Sequence, residues 1–235
     1  MTDVMLALAN AGPGRADAFE DWYDSEYVPA LCAVEGVLGA RCMRAANDLD
    51  ECPEHPYEFL SICELAPGEL ASTAGRVAAA DLPSTADQSG DTAWWFYEEI
   101  GPRVATPAAG AGPFDQMVVL TNANPGTDVE FNRWYDEVHI PDIFNKIGGF
   151  VAAHRFRRAA LPVNGELEWG YMALYDIPKG TMEHCYSRLR WSRAEREEAL
   201  AAGREPQVPI APPMGDHRIL WLYRETAAPV PAAGI

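Results

Sequence analysis

Two stretches of this chain nearly repeat one another: WYDSEYVPA at 22–30 and WYDEVHIPD at 134–142. Both keep Trp-Tyr-Asp and the later proline, but Tyr27 of the first copy is His139 in the second. Only the second copy therefore carries a side chain that titrates near neutral pH. Residues four apart on a helix share a face, so Tyr135 and His139 can converge on one ligand atom. An imidazole with a reference pKa of about 6.5 can take or give a proton, and a phenol can donate to a developing oxyanion. The structural alternative is that His139 caps backbone carbonyls freed by Pro141. Asp24 and Asp136 occupy one slot in both copies, which points to a shared structural task, and Trp22 and Trp134 read as core anchors. Farther on, His154 and Arg155 are neighbours on a strand and must point to opposite faces. Whichever faces inward is a candidate to hold a carboxylate, phenolate or carbonyl; their first-copy counterparts are Arg41 and Cys42.

The elements that position these residues also repeat. Residue n matches n + 112 or n + 113 from MLALANAGPG (5–14) against MVVLTNANPG (117–126) to YEFLSICEL (57–65) against WGYMALYDI (169–177). Each half begins with a short apolar run (4–9; 116–121) that reads as a strand, closed by a Gly/Pro turn. A helix follows, with Phe131, Trp134, Tyr135 and Val138 spaced three and four apart in the second half. Pro29 and Pro141 are expected to end or kink it. Then come a strand after a glycine (37–45; 150–158), a third strand from near Tyr57 or Trp169, a second helix (68–80; 179–202) and a last aromatic strand (93–99; 218–225). The order βαββαβ, written twice, is that of the ferredoxin-like split βαβ unit, whose helices lie on one face of the sheet. The helix-free face, with Trp94, Phe96, Trp221 and Tyr223 available, needs a cover. Two fused copies can provide it, which predicts an α+β fold of two ferredoxin-like units forming an intramolecular pseudo-dimeric α/β barrel. The first unit is expected at 1–110, with a degenerate site, and the second at 111–235, as the active half. A cavity lined by Tyr27, Trp94, Trp221 and Tyr223 is the expected substrate site.

Composition narrows the function classes. The 235 residues are 48% hydrophobic and 23% charged, with a formal net charge of -17. An acid excess of that size repels phosphate backbones and anionic membranes, so neither nucleic acid nor membrane is expected as a partner. Five cysteines without a CxxC pattern suit a reduced, cytoplasmic setting with buried thiols. The N-terminal MTDVMLALANAGPG lacks a basic n-region and reads as a strand, with no signal peptide indicated. No HExxH, GxGxxG, P-loop or GxSxG pattern occurs, so no metal or nucleotide cofactor is expected.

The stretch FNRWYDEVHIPDIFNKIGGFVAAHRF (131–156) resembles the dimeric α/β-barrel superfamily and, within it, the EthD-like branch, whose first helix carries a Trp-Tyr-x-x-x-His-x-Pro pattern. The resemblance implies that the family histidine falls on His139, its helix tyrosine on Tyr135 and its proline on Pro141, while Tyr27 departs from the pattern. It further implies one unit per chain in a homodimer, a role the fused halves would fill here; a further homodimer stays open. Superfamily activities range over cofactor-free monooxygenases, cyclases, isomerases, lyases and haem enzymes, so fold does not select among them. His184 lies on the second helix, where haem-binding relatives place an axial ligand. The expected function is a cofactor-independent enzyme acting on a small apolar or aromatic carbonyl or phenolic compound. His139 would move a proton, Tyr135 would orient it, and Arg155 or His154 would hold the anionic end. The alternatives are a non-catalytic protein that binds a hydrophobic metabolite and a haem-dependent lyase or peroxidase. The proline-rich segment 203–216 reads as a lid or a packed connection.

Overall fold

The computed structural model describes residues 2–50, 52, 55–90, 92–110, 112–164, 167–211 and 213–232, leaving aside the side chain of Asp216. Pro212 of the proline-rich segment lies outside the described residues. The chain is mixed α+β. It begins with strand β1 (Val4–Ala9) and helix α1, built of Ala16–Trp22, a π-helical turn Tyr23–Tyr27 and Val28–Cys32. Strands β2 (Val37–Ala45) and β3 (Phe59–Leu65), helix α2 (Leu70–Ala79), and strands β4 (Ala93–Glu99) and β5 (Val104–Ala105) follow. Next are β6 (Phe114–Ala123) and helix α3, which runs through Asp128–Trp134, a π turn Tyr135–His139, Ile140–Asp142 and a second π turn Ile143–Ile147. Strands β7 (Ala152–Arg158) and β8 (Tyr171–Pro178), helix α4 (Met182–Ala201), and strands β9 (Met214–Glu225) and β10 (Val230–Pro231) complete it.

Two compact units result. One comprises Met1–Pro102, Phe156–Glu168 and Trp221–Ile235, and the other Arg103–Arg155 and Trp169–Leu220. Compactness thus follows strand pairing, while the sequence repeat follows chain order: the ends of β7 and β9 group with the first unit because Glu99 pairs with Phe156 and Met43 with Glu225. In the first unit the neighbours run β2-β3-β1-β4, and in the second β7-β8-β6-β9. Counted within each repeat, that is one order, second-third-first-fourth. Strands β6 and β9 are longer than expected: β6 gains residues at both ends, buried Asp115 among them, and β9 begins at Met214.

The prolines do not end the first helices. A ring at position 29 or 141 has no N–H to bond and clashes with the carbonyl four residues earlier. The chain absorbs this by widening one turn: the N–H of Val28 bonds Tyr23 O, and that of Ile140 bonds Tyr135 O, each five residues back. The widening has a packing consequence. Steps of four advance an α-helical face by about 40° each, so a strict spacing of four would wander off the sheet. With the wide turns Phe19, Tyr23, Tyr27 and Leu31 all stay buried, as do Phe131, Tyr135, His139, Ile143 and Ile147. Val138, on the expected apolar face, is exposed instead, and Trp22 and Trp134 are only half-buried. The tyrosine of Trp-Tyr-Asp, and not its tryptophan, is the core anchor.

One glycine in each repeat is required by close approach. Gly36 has φ +96°, and a Cβ there would meet Thr73 Oγ1 at 2.0 Å; Gly149 has φ +85°, and a Cβ would meet Cys185 Sγ at 2.5 Å. Both let the second helix of the repeat press onto the start of its second strand.

Candidate active site beneath helix α3

The π turn sets the site's first feature. In the second unit it brings residues five apart into register, so Trp134 stacks on His139 with ring centres 4.7 Å apart and planes 29° apart. Tyr135 meets the same imidazole edge-on at 4.8 Å. His139 is thereby only 8% exposed, and its Nδ1 has no hydrogen-bond partner. A buried polar atom without a partner costs about 1–3 kcal/mol, so an orphan here marks a place where a ligand atom would restore the missing bond.

The strands supply the rest. From β7, Arg155 reaches under the helix, donating to Asp136 Oδ1 at 2.7 Å, Asn132 Oδ1 at 2.6 Å and Asn132 O at 3.2 Å. Its guanidinium lies 4.3 Å from the centre of the Tyr135 ring. From β8, Tyr175 donates its hydroxyl hydrogen to Tyr135 Oη at 3.3 Å. Tyr135, having accepted that bond, keeps its own hydrogen for another acceptor.

Electrostatics assign protonation states. Burial, and then the charges of Arg196, Arg218 and Arg155, push His139 down to about 3, so the imidazole is neutral at neutral pH. Burial raises Tyr135 above its ordinary value despite the Tyr175 hydrogen bond and the Arg155 charge, so it remains a phenol and a donor. The site therefore offers a neutral acceptor nitrogen beside a neutral hydroxyl donor.

Of the residues expected from sequence, Tyr135, His139 and Arg155 are brought together here, and Arg155 is the helix-facing member of its pair. His154 leaves the opposite face of β7 and is half-buried. The other expected residues belong to the first unit. Trp94 Nε1 donates to Tyr27 Oη at 3.0 Å on the helix side. Trp221 stacks on Trp95 at 6.0 Å, and Tyr223 donates to Tyr57 O at 3.0 Å, next to the ring of His55. The face that holds Trp221 therefore holds Trp95, while Trp94 points under helix α1 with Phe96, a member of that helix-side core. His184 is exposed on α4. Asp136 pairs with Arg155, and Asp24 accepts from Thr226 Oγ1 at 3.0 Å, so the shared slot serves side-chain pairing in both copies. In segment 203–216, Val208 is buried and its carbonyl accepts from Arg196, while Gln207 O accepts from Lys146.

Sequence reasoning missed Tyr175, Asn132, Arg196 and Arg218. The one available signal was alternation in YMALYDI, which sets Tyr175 on the same face as Tyr171, whose hydroxyl donates to Asp128 beneath the same helix. Among the described residues no group of three or more His, Cys, Asp or Glu could hold a metal ion, and no helix is long and apolar enough to cross a membrane. The cysteines of the described chain are free thiols, four of them buried.

No protein-family model matches the chain, and no curated protein sequence matches it. Solved structures do. A protein described as anthrone oxidase-like superposes with a TM-score of 0.60 at 13% identity, over 99% of this chain and 93% of its own. A provisionally assigned monooxygenase from Fusobacterium nucleatum subsp. nucleatum ATCC 25586 gives a TM-score of 0.55 at 9% identity, over 100% of this chain and 96% of its own. At such identities the likeness establishes fold alone, a mixed α+β one.

Proposed function

We propose that this protein is a cofactor-independent enzyme that removes a proton from a small aromatic carbonyl or phenolic compound, with His139 as the base. The observation that carries the reading is the buried, partnerless Nδ1 of a neutral His139 held between Trp134 and Tyr135. His139 takes the proton from an acidified C–H or O–H. Tyr135, fixed by the hydrogen bond from Tyr175, donates to the oxygen where charge gathers. Arg155, held by Asp136 and Asn132, is the positioning group that sets the Tyr135 ring.

Cyclisation, isomerisation and elimination all pass through such an anion. The names given to the neighbouring structures favour a fourth outcome, oxygenation, and we propose that it proceeds here without a cofactor. A ring CH2 that loses its proton hands electrons to dioxygen, gains one oxygen atom as a carbonyl, and the other oxygen atom leaves as water. We further propose that the chain is a tandem duplication of ferredoxin-like units of the EthD-like type, standing in for the two chains of a dimeric α/β barrel. The common element order, the common strand order and the π turn at the same motif position in both repeats support it.

The test is oxygen uptake and product formation with a panel of hydroxyanthrones and hydroxynaphthalenes. His139→Ala is expected to lower turnover by about 10²- to 10⁴-fold; undiminished turnover in that variant refutes the assignment. A protein that only binds such compounds would saturate with ligand and show no turnover with or without His139.

A further inference from the structure

Helix α3 and the strands beneath it carry a chain of hydrogen bonds for which helix α1 has no equivalent residues. Tyr171 on β8 donates to Asp128 Oδ1 at 2.6 Å and accepts from Asn132 Nδ2 at 3.3 Å. Asn132 Nδ2 also donates to Asp128 O at 2.8 Å, and Asn132 Oδ1 accepts from Arg155 at 2.6 Å. Both amide hydrogens and the amide oxygen of Asn132 are thus engaged, which fixes its plane and the Arg155 fork with it. That fork lies 4.3 Å from the centre of the Tyr135 ring.

At the matching positions of the first unit stand Ala16 for Asp128, Glu20 for Asn132, Cys42 for Arg155 and Phe59 for Tyr171. The frame is nevertheless the same. Phe19 and Phe59 have ring centres 4.8 Å apart, and so do Phe131 and Tyr171. Glu20 turns to Arg44 instead, at 2.8 Å. A helix of this kind therefore packs on its sheet without the network, so folding is not what the network is for. It also spares charge: Asn132 holds the guanidinium without neutralising it. The carboxylate paired with Arg155, that of Asp136, is exposed, and water weakens its pull.

We infer that Asp128, Tyr171 and Asn132 are positioning residues of the active site: they hold Arg155, still charged, on the face of the Tyr135 ring, so that the Tyr135 hydroxyl becomes a stronger hydrogen-bond donor. The inference rests on the proposed function and extends it by a layer of residues that act on the reacting atoms only through Arg155 and Tyr135. A cation on a ring face favours negative charge on the ring and its oxygen, and the Arg155 charge opposes the effect of burial on Tyr135. Tyr175 from β8 and His139 from the same helix also face Tyr135, and the charges of Asp136 and Arg218 act on it. Tyr171→Phe and Asn132→Ala leave all of these groups in place.

Tyr171→Phe installs the ring that the first unit already carries, so the fold is kept, while Asn132→Ala removes the hub. In the full-length protein with carbon-13 labelled tyrosine, the Tyr135 signal, assigned by its loss in Tyr135→Phe, is followed through the alkaline range. Tyr135 is expected to ionise about one pH unit higher in Asn132→Ala and to move by a smaller step in Tyr171→Phe. With the hydroxyanthrones and hydroxynaphthalenes, kcat is expected to fall about tenfold in Asn132→Ala at similar KM, the mark of an interaction made in the transition state. A network that served stability alone would lower melting temperatures and move neither reading. Unmoved ionisation of Tyr135, or a moved one with kcat unchanged, overturns the inference. The proposed function fails separately: no turnover by the parent protein, with the Tyr135 ionisation still moved in the variants, removes the proton-abstraction reading and leaves the hold on Tyr135.

Discussion

Beneath helix α1 lie Tyr23, Tyr27, Cys42 and Cys63; at the matching positions beneath helix α3 lie Tyr135, His139, Arg155 and Tyr175. The backbone device is common to both, a widened turn that holds a spacing of four against the sheet. The chemistry is not. In the first unit polar atoms are spent on structure: Tyr23 donates to Ala7 O at 3.0 Å, Tyr27 accepts from Trp94, and Tyr23 and Tyr27 stack at 5.3 Å. Burial pushes Cys42 and Cys63 far up, so both stay inert thiols. In the second unit the same volume holds a buried cation, two hydroxyls and an imidazole nitrogen that bonds nothing. Two units with one strand order can therefore differ in how their polar atoms are satisfied: the first leaves none of these groups without a partner, and the second leaves His139 Nδ1 without one.

The sharpest way to break this comparison is to truncate the two matching residues. His139→Ala should cost about 10²- to 10⁴-fold in turnover with little change in melting temperature, since relief of the orphan nitrogen offsets lost packing. Tyr27→Ala should leave turnover per folded molecule intact and destabilise by about 3–5 kcal/mol, as expected for a buried aromatic. Denaturant unfolding and steady-state rates on both variants decide it; a Tyr27 variant that loses turnover while folded would erase the distinction.

Acid should act on both units through one histidine each, buried His139 and half-buried His55. His139 is held at about 3, and His55, whose Nε2 accepts from the N–H of Leu222 at 2.9 Å, is held down to about 4 by burial. Each takes up a proton near pH 6.5 when unfolded but not when folded, so stability is complete above about 6.5 and falls as the pH drops toward those lower values. Urea unfolding followed from about pH 7 to about pH 4.5 should show a shallower loss in His139→Asn and in His55→Asn than in the parent; an unchanged slope in His139→Asn would mean that its imidazole is not held neutral.

A smaller difference is expected at the second-strand pair. Arg155→Met leaves Asn132 without its donor and should cost about 1–3 kcal/mol, whereas Cys42→Ala should cost about 1 kcal/mol, near one buried methylene-sized group. Circular dichroism melts distinguish them, and equal losses would mean that Arg155 is merely packed. Last, Tyr175→Phe removes one long hydrogen bond and should cost about 0.5–1.5 kcal/mol; its more telling effect is a lower kcat at similar KM, as Tyr135 loses its fixed orientation.

Much of the scaffold was legible. Strands β1, β2 and β4 lie where their apolar runs predicted, and both second helices fall inside their expected spans. The helices through Pro29 and Pro141 were misread, because an α pattern and a π pattern contain the same side chains and differ only in how far a turn advances. The cue was present as buried residues in steps of four, from Phe19 to Leu31 and from Phe131 to Ile147. At the site, Tyr135 and His139 could be paired from spacing because one helix holds both. Tyr175, Arg196 and Arg218 could not, because each arrives from a different element and nothing local requires them to meet. For β4, the alternation in AWWFYEE separates Trp94 from Trp95 but does not say which faces the helix; the bond from Trp94 to Tyr27 does.

The sequence by itself determined the repeated element order, the acid excess, and the exchange of tyrosine for histidine between Tyr27 and His139 in the repeated motif. These are properties of composition, spacing and local backbone preference, and they survive in any arrangement of the chain. The tertiary structure alone decided that His139 is neutral, that its Nδ1 lacks a partner, and that Arg155 faces the helix while His154 does not. Those facts depend on burial and on charges brought together from separate elements, and desolvation and Coulomb interaction act on distances in space, which the order of residues along a chain does not specify.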